Sequence, residues 1–258
     1  MPQTSPDDDA RRPLHVEEWT ESDGRPLRTL VSGRPRTGAP EVVLVPGLGA
    51  VGYMLELLHA CGAWTRATLV DLPGFGQQRT ADLPSDLDSV TARLLSALPP
   101  SPSVLVGHST GTQVAMHAAL DAPDRVGALV LVGPTFEPAA RRPGALLARH
   151  MWTSAFEPPG QLRYTVPDYL RGGRRFREYL TSALRDRPEE QIGRIQAPVI
   201  AARGRHDHFA SQEWVQQLAA AAPRGRARTL PGAHAVPYNH PGAVAQLAGE
   251  AAAAMGGS

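Results

Sequence analysis

Ser109 stands between Gly107 and Gly111, where a β-branched run, Val104-Leu-Val106, gives way at once to Thr112-Gln-Val-Ala-Met-His-Ala-Ala-Leu120. A strand that turns directly into a helix strains its corner residue, and glycines on both flanks let the two arms pass closely. Such a corner lifts the serine hydroxyl above the strand ends, beside the free N–H groups of a helix N-terminus that can stabilise a developing oxyanion. The chemistry expected is nucleophilic attack on a carbonyl, but a serine hydroxyl is too weakly acidic to attack unaided. It needs a histidine base held in place by a carboxylate.

The rest of the chain offers both. Asp207 lies in Arg203-Gly-Arg-His-Asp-His-Phe209, just beyond an apolar run that ends near Ala202, and His234 lies in Pro231-Gly-Ala-His-Ala-Val-Pro-Tyr238, beyond the last strand-like run. The competitors are His240, which precedes Pro241 and suits capping or packing, and Glu137, which follows the strand ending at Val132. His206 and His208 flank Asp207, but neighbouring residues wrap one ion poorly, so no metal and no cofactor is expected. Pro46-Gly-Leu-Gly49 follows another apolar run, Val42–Val45, and forms a glycine-rich turn beside the corner. The oxyanion donors expected are the backbone N–H groups of Thr110 and Leu48, and substrate contact is assigned to Gly47, His108, Trp152, Phe156 and Tyr169.

Short apolar runs alternate with amphipathic stretches along most of the chain. The strands expected are 14–19, 26–31, 41–45, 67–70, 104–106, 128–132, 198–202 and 227–230, the first two joined at Asp23-Gly24. The helices between them are 53–60, 87–98, 110–121, 212–222 and 241–254. This rhythm makes an α/β protein: a mostly parallel sheet of about eight strands with helices on both faces. Residues 135–195 interrupt it with amphipathic stretches at 144–156 and 167–184 and no buried-strand run. They read as a helical cap over the strand ends, where open α/β sheets bind ligands. Met151, Trp152, Phe156, Tyr164, Tyr169, Phe176 and Tyr179 give this segment side chains for an acyl pocket. The core is 13–134 with 196–258, and residues 1–12, polar and Pro-containing, form a disordered tail.

Composition sets the remaining bounds. At 258 residues the chain can bury one large core without disulfides, and its single cysteine, Cys61, has no partner in the chain. All 26 basic residues are arginine, against 25 acids, so no global field attracts nucleic acid. Ten arginines against four acids make 141–187 locally basic. No signal segment and no run of eighteen apolar residues occurs, so a cytoplasmic protein with no membrane span and a small-molecule substrate is expected. Oligomeric state is not readable from these features.

These motifs together resemble the α/β-hydrolase superfamily, in particular its capped carboxylesterase- and lactonase-like group, over nearly the whole chain from Leu14. The resemblance rests on Pro46-Gly-Leu-Gly49, Asp71-Leu-Pro-Gly-Phe-Gly76, Gly107-His-Ser-Thr-Gly111, Ala122-Pro-Asp-Arg-Val126, Gly204-x-x-Asp207 and Gly232-Ala-His234, with Ser109, Asp207 and His234 in the family's chain order. It implies an acyl-enzyme mechanism on an ester or lactone, with thioester or carbon–carbon hydrolysis as alternatives on the same triad, or a ligand-binding relative without turnover. Two departures bear on this. Pro46 replaces the family's usual histidine, and Ala235-Val236 stands where carbon–carbon hydrolases often carry Trp or Phe.

Overall fold

The computed structural model describes residues 15–22, 25–72, 84–157, 160 and 162–256. The expected tail at 1–12, the turn at Asp23-Gly24 and most of the Asp71–Gly76 motif lie outside them.

Among the described residues the strands are β1 (Val16–Ser22), β2 (Arg25–Ser32), β3 (Val42–Val45), β4 (Ala67–Val70), β5 (Ser103–His108), β6 (Val126–Val132), β7 (Val199–Gly204) and β8 (Gly225–Leu230). They form one sheet in the order β1-β2-β4-β3-β5-β6-β7-β8. The β1–β2 and β2–β4 pairs are antiparallel and every later pair is parallel. The helices are α1 (Leu55–Gly62), α2 (Leu87–Ala97), α3 (Gly111–Asp121), α4 (Pro143–Ser154), α5 (Leu162–Gly172), α6 (Arg174–Arg185), α7 (Pro188–Gln191), α8 (Gln212–Ala221), α9 (Val236–Asn239) and α10 (Pro241–Met255).

The central strands are mostly apolar because both faces are covered. Alternate residues of β5 divide between two cores: Leu105 packs with Val114, Leu94 and Leu218 on one side, and Val104 and Val106 pack with Leu57, Val244 and Leu247 on the other. A parallel sheet of this kind sends every strand out at the same edge, so the loops after β3, β5, β6, β7 and β8 share one rim.

Between β6 and β7 the chain makes α4 to α7. The amphipathic stretch read at 167–184 falls on two helices, divided at Gly173 with φ 50°. Gly172-Gly173 is the signal that marks the break. Pro167, expected near a helix start, falls inside α5. The first turn of that helix is held by Tyr164, whose ring packs over Gly52 and lies edge-on to Tyr238 at 6.0 Å. The packing outweighs the hydrogen bond that proline removes.

Candidate active site

Ser109 occupies the corner between β5 and α3 in left-handed backbone, φ 55°, with its N–H donating to the Val132 carbonyl at 2.9 Å. The glycine flanks are steric necessities. A Cβ on Gly107 would lie 2.5 Å from the Gly111 carbonyl oxygen, and one on Gly111 would lie 2.4 Å from the Val45 carbonyl oxygen. Gly47 is equally constrained, since its Cβ would come within 2.7 Å of Ser109 Cβ, so the turn after β3 is pressed against the serine. Ser109 is 8% exposed.

Asp207, after β7, is completely buried and both its carboxylate oxygens are engaged. Its Oδ1 accepts from the N–H groups of Phe209 (2.9 Å) and Ala210 (3.1 Å), and its Oδ2 lies 2.9 Å from His234 Nδ1. Burial pushes the carboxyl up, but His234 beside it and the two N–H groups outweigh burial and hold it below its ordinary value. For His234 burial pushes down, and the carboxylates of Asp207 and Glu157 more than reverse that, leaving the imidazole above its ordinary value. An ionised Asp207 can only accept, so Nδ1 carries the proton and Nε2 keeps its lone pair.

His108, assigned above to substrate contact, is instead a structural link. It is 4% exposed and both ring nitrogens are engaged. Nε2 lies 2.9 Å from the His234 carbonyl, an obligatory acceptor, so it bears the proton, and Nδ1 accepts from the Tyr53 hydroxyl at 2.7 Å. Tyr53 in turn accepts from Gly47 N–H at 2.8 Å. This chain ties the glycine turn to the histidine loop through a neutral imidazole, which burial and the neighbouring His234 push down to about 3. Tyr53 carried no local signal in the sequence.

Leu48 presents its N–H from a left-handed position, φ 45° and ψ 29°, and donates it to Thr110 Oγ1 at 2.8 Å. Glu157, which the sequence reading did not single out, reaches in from the segment after α4 and accepts from Ala235 N–H at 2.7 Å, beside His234. Burial raises its carboxyl above the ordinary range despite that bond.

The competitors are placed elsewhere. Glu137 pairs with Arg149 and accepts from Ser211 at 2.6 Å, and His240 packs against Gly232 at the start of α10. Trp152 and Phe156, expected to wall the pocket, are 65% and 49% exposed. Phe156 stacks on His206 with centroids 4.7 Å apart, and Trp152 leans toward His208. Trp152 borders a cleft of about 420 Å³ whose lining includes Asp207 but neither Ser109 nor His234. Tyr169 lies on α5, and its side chain is outside the described part of the structure.

A model of the alpha/beta hydrolase family matches residues 42–247. Among curated relatives, the chain is 38% identical over 124 residues to a putative carbamate hydrolase of Klebsiella pneumoniae (strain 342), covering 45% of this chain and 46% of that one. It is 35% identical over 105 residues to a pimeloyl-[acyl-carrier protein] methyl ester esterase of Vibrio campbellii, covering 40% and 41%. The chain thus spans less than half the length of the curated relatives it matches. The fold is similar to that of the enol-lactonase from Burkholderia xenovorans LB400, with a TM-score of 0.72 at 19% identity over 91% of this chain and 99% of that one.

Proposed function

The chain belongs to the alpha/beta hydrolase family, and from that premise we propose that it is a serine hydrolase cleaving a carboxylic ester or lactone of a small to medium uncharged substrate through an acyl-enzyme. The observation that carries the reading is the placement of Ser109 in strained backbone on the rim where Asp207 and His234 form a 2.9 Å pair. A protein that only binds its ligand has no physical need of all three.

In this mechanism Ser109 Oγ attacks the carbonyl carbon as His234 Nε2 takes its proton, and the carbonyl π pair moves to oxygen. Asp207 holds the imidazole in the required tautomer and stabilises the imidazolium without itself taking the proton. The N–H of Thr110, at the head of α3, and the turn carrying Leu48 face the oxyanion. Collapse expels the alkoxide, which leaves with the proton from His234. Water then attacks the acyl-enzyme by the same route, releasing the acid and restoring the serine. Residues 135–195 serve as the cap, and Glu157 is a cap residue that touches the histidine loop.

The test is labelling of the folded protein with a fluorophosphonate, followed by a panel of esters and lactones of graded size. Peptide mass spectrometry is expected to place one adduct on Ser109, and Ser109→Ala to abolish both labelling and turnover. An adduct elsewhere, or none, overturns the reading.

A further inference from the structure

The turn Pro46-Gly-Leu-Gly49 brings no polar side chain of its own, and Pro46 has no N–H to give. Hydroxyls from elsewhere in the chain hold it. Leu48, in left-handed backbone at φ 45° that leucine rarely adopts, donates its N–H to Thr110 Oγ1, and Gly47 donates its N–H to the Tyr53 hydroxyl at 2.8 Å. Tyr53 is 4% exposed, and its ring lies edge-on to that of His108 with centroids 5.3 Å apart. A buried, packed phenol ring holds its oxygen at one point, which makes it a firm anchor for a strained turn.

The protons in this row run one way. The His234 carbonyl can only accept, so His108 Nε2 donates to it at 2.9 Å, and burial keeps the ring neutral, so Nδ1 offers its lone pair to the Tyr53 hydroxyl at 2.7 Å. The Tyr53 proton is thereby used, and its oxygen accepts from Gly47. Both ends of the row meet the chemistry. Gly47 presses on Ser109, and the peptide that begins at its carbonyl carries the Leu48 N–H. At the other end His108 immediately precedes Ser109, its bond holds the backbone of His234, and the two imidazole rings lie 4.8 Å apart.

We propose that Tyr53 and His108 are positioning residues for the hydrolytic reaction: their hydrogen-bonded row fixes the oxyanion turn and the histidine loop to each other across Ser109. They act through Gly47 and His234 and not on the reacting atoms. The inference rests on Ser109 being the nucleophile and His234 its base. A row of this kind matters to rate because a misplacement of about 1 Å among reacting groups can cost about 10²-fold. It also makes the two ends interdependent, so that cutting the row at Tyr53 or at His108 loosens the same unit.

Tyr53→Phe keeps the ring and removes the hydroxyl that joins Gly47 to His108. Per active site counted by fluorophosphonate labelling, kcat is expected to fall about 10- to 10²-fold with KM little changed, and affinity for a trifluoromethyl ketone analogue of the tetrahedral intermediate to fall by a similar factor. His108→Gln keeps an amide N–H for the His234 carbonyl but offers Tyr53 no acceptor, so it should show the same split. The double variant should be about as slow as the slower single one, because both changes cut one row. A folded Tyr53→Phe protein with wild-type kcat per labelled site, whatever its Tm, overturns the inference, since the row is then structural alone. A fall in kcat with analogue affinity unchanged, or losses that simply add in the double variant, overturns it too. Should the phenylalanine variant not fold, His108→Gln decides by its own kcat and analogue affinity. Failure of the underlying reading is distinguishable, since the wild-type protein would then take no fluorophosphonate adduct on Ser109.

Discussion

Ser109 and Asp207, at the ends of β5 and β7, are 8% and 0% exposed, while Trp152 and Phe156, on and just after α4, are 65% and 49% exposed. The two regions are built on different principles. At the strand ends each side chain is held by a steric or hydrogen-bonding necessity: the glycines around Ser109, the three hydrogen bonds to the Asp207 carboxylate, the Gly47–Tyr53–His108–His234 chain. The inserted helices leave Trp152 and Phe156 largely in solvent, sink Tyr179 and Ala183 into the core, and also meet it through a few polar struts. Thr153 accepts from His208 N–H at 3.1 Å, Glu157 from Ala235 N–H at 2.7 Å, and the Ala183 carbonyl from Gln113 at 2.8 Å. The lesson is that the insertion is fixed by a few buried and hydrogen-bonded side chains, whereas Trp152 and Phe156 are left exposed.

The sharpest division between the regions is expected at the carboxylates. Asp207→Asn should lower turnover by about 10⁴-fold with the fold intact, since the amide favours the wrong imidazole tautomer, and Glu137→Gln should do far less because Glu137 serves Arg149 and Ser211. Steady-state kinetics of the two variants checks this, and a reversal would put the acid on the wrong strand. Next in size is packing. Leu105→Ala in β5, fully buried between the helices, should cost about 2–5 kcal/mol, whereas Leu170→Ala in α5, 78% exposed, should stay within about 0.5 kcal/mol in urea unfolding.

Glu157 tests whether the two regions are coupled electrically. Asp207 and Glu157 face His234 as carboxylates, and His108 faces it as a neutral ring. His234 must be neutral to act as base, so activity is lost as pH falls through its raised value, and the acid limb of kcat/KM should lie above the ordinary histidine range. Glu157→Gln removes a negative charge while keeping an acceptor for Ala235, so the limb should move to lower pH. An unmoved limb would mean that the strut is purely mechanical.

The smallest effect concerns the His117–Asp186 contact (3.0 Å), which ties α3 to the end of α6. Its hydrogen bond to Asp186 raises His117. Burial pushes Asp186 up, and His117 with Gln113 outweighs that and holds it low. The raised histidine contributes stability that is lost as pH rises through its folded value, and the lowered aspartate contributes stability that is lost as pH falls through its own. The contact should therefore stabilise most between the ordinary aspartate and histidine ranges, and His117→Gln should lower the Tm in that window more than at pH 9.

Much of the fold could be read along the chain because its determinants are local. β4 falls on the expected residues 67–70, and β3, α2 and α3 within one residue at each end, since parallel strands buried on both faces are short apolar runs and helices carry their own period. The Gly-x-Ser-x-Gly spacing was legible for a similar reason: the corner demands those glycines through contacts only a few residues away along the chain or with the adjacent strand. Chain order alone also put Asp207 and His234 each in a loop after a strand, and parallel strands bring such loops to one rim.

What only the tertiary structure decided is the pattern of long-range polar contacts and which aromatic side chains are covered. Tyr53 and His108 are 55 residues apart, Leu48 and Thr110 62, and Glu157 and Ala235 78, and no periodicity marks a hydroxyl or carboxylate for a partner at that distance. Trp152 and Phe156 look like pocket walls by type, but the direction in which a helix turns its side chains follows from how α4 seats on the loop after β7, through Arg149 and Thr153. Hydrophobic pattern sets which elements form, being a property of neighbours in sequence. Hydrogen bonds between distant loops exist only once the sheet has fixed where those loops stand.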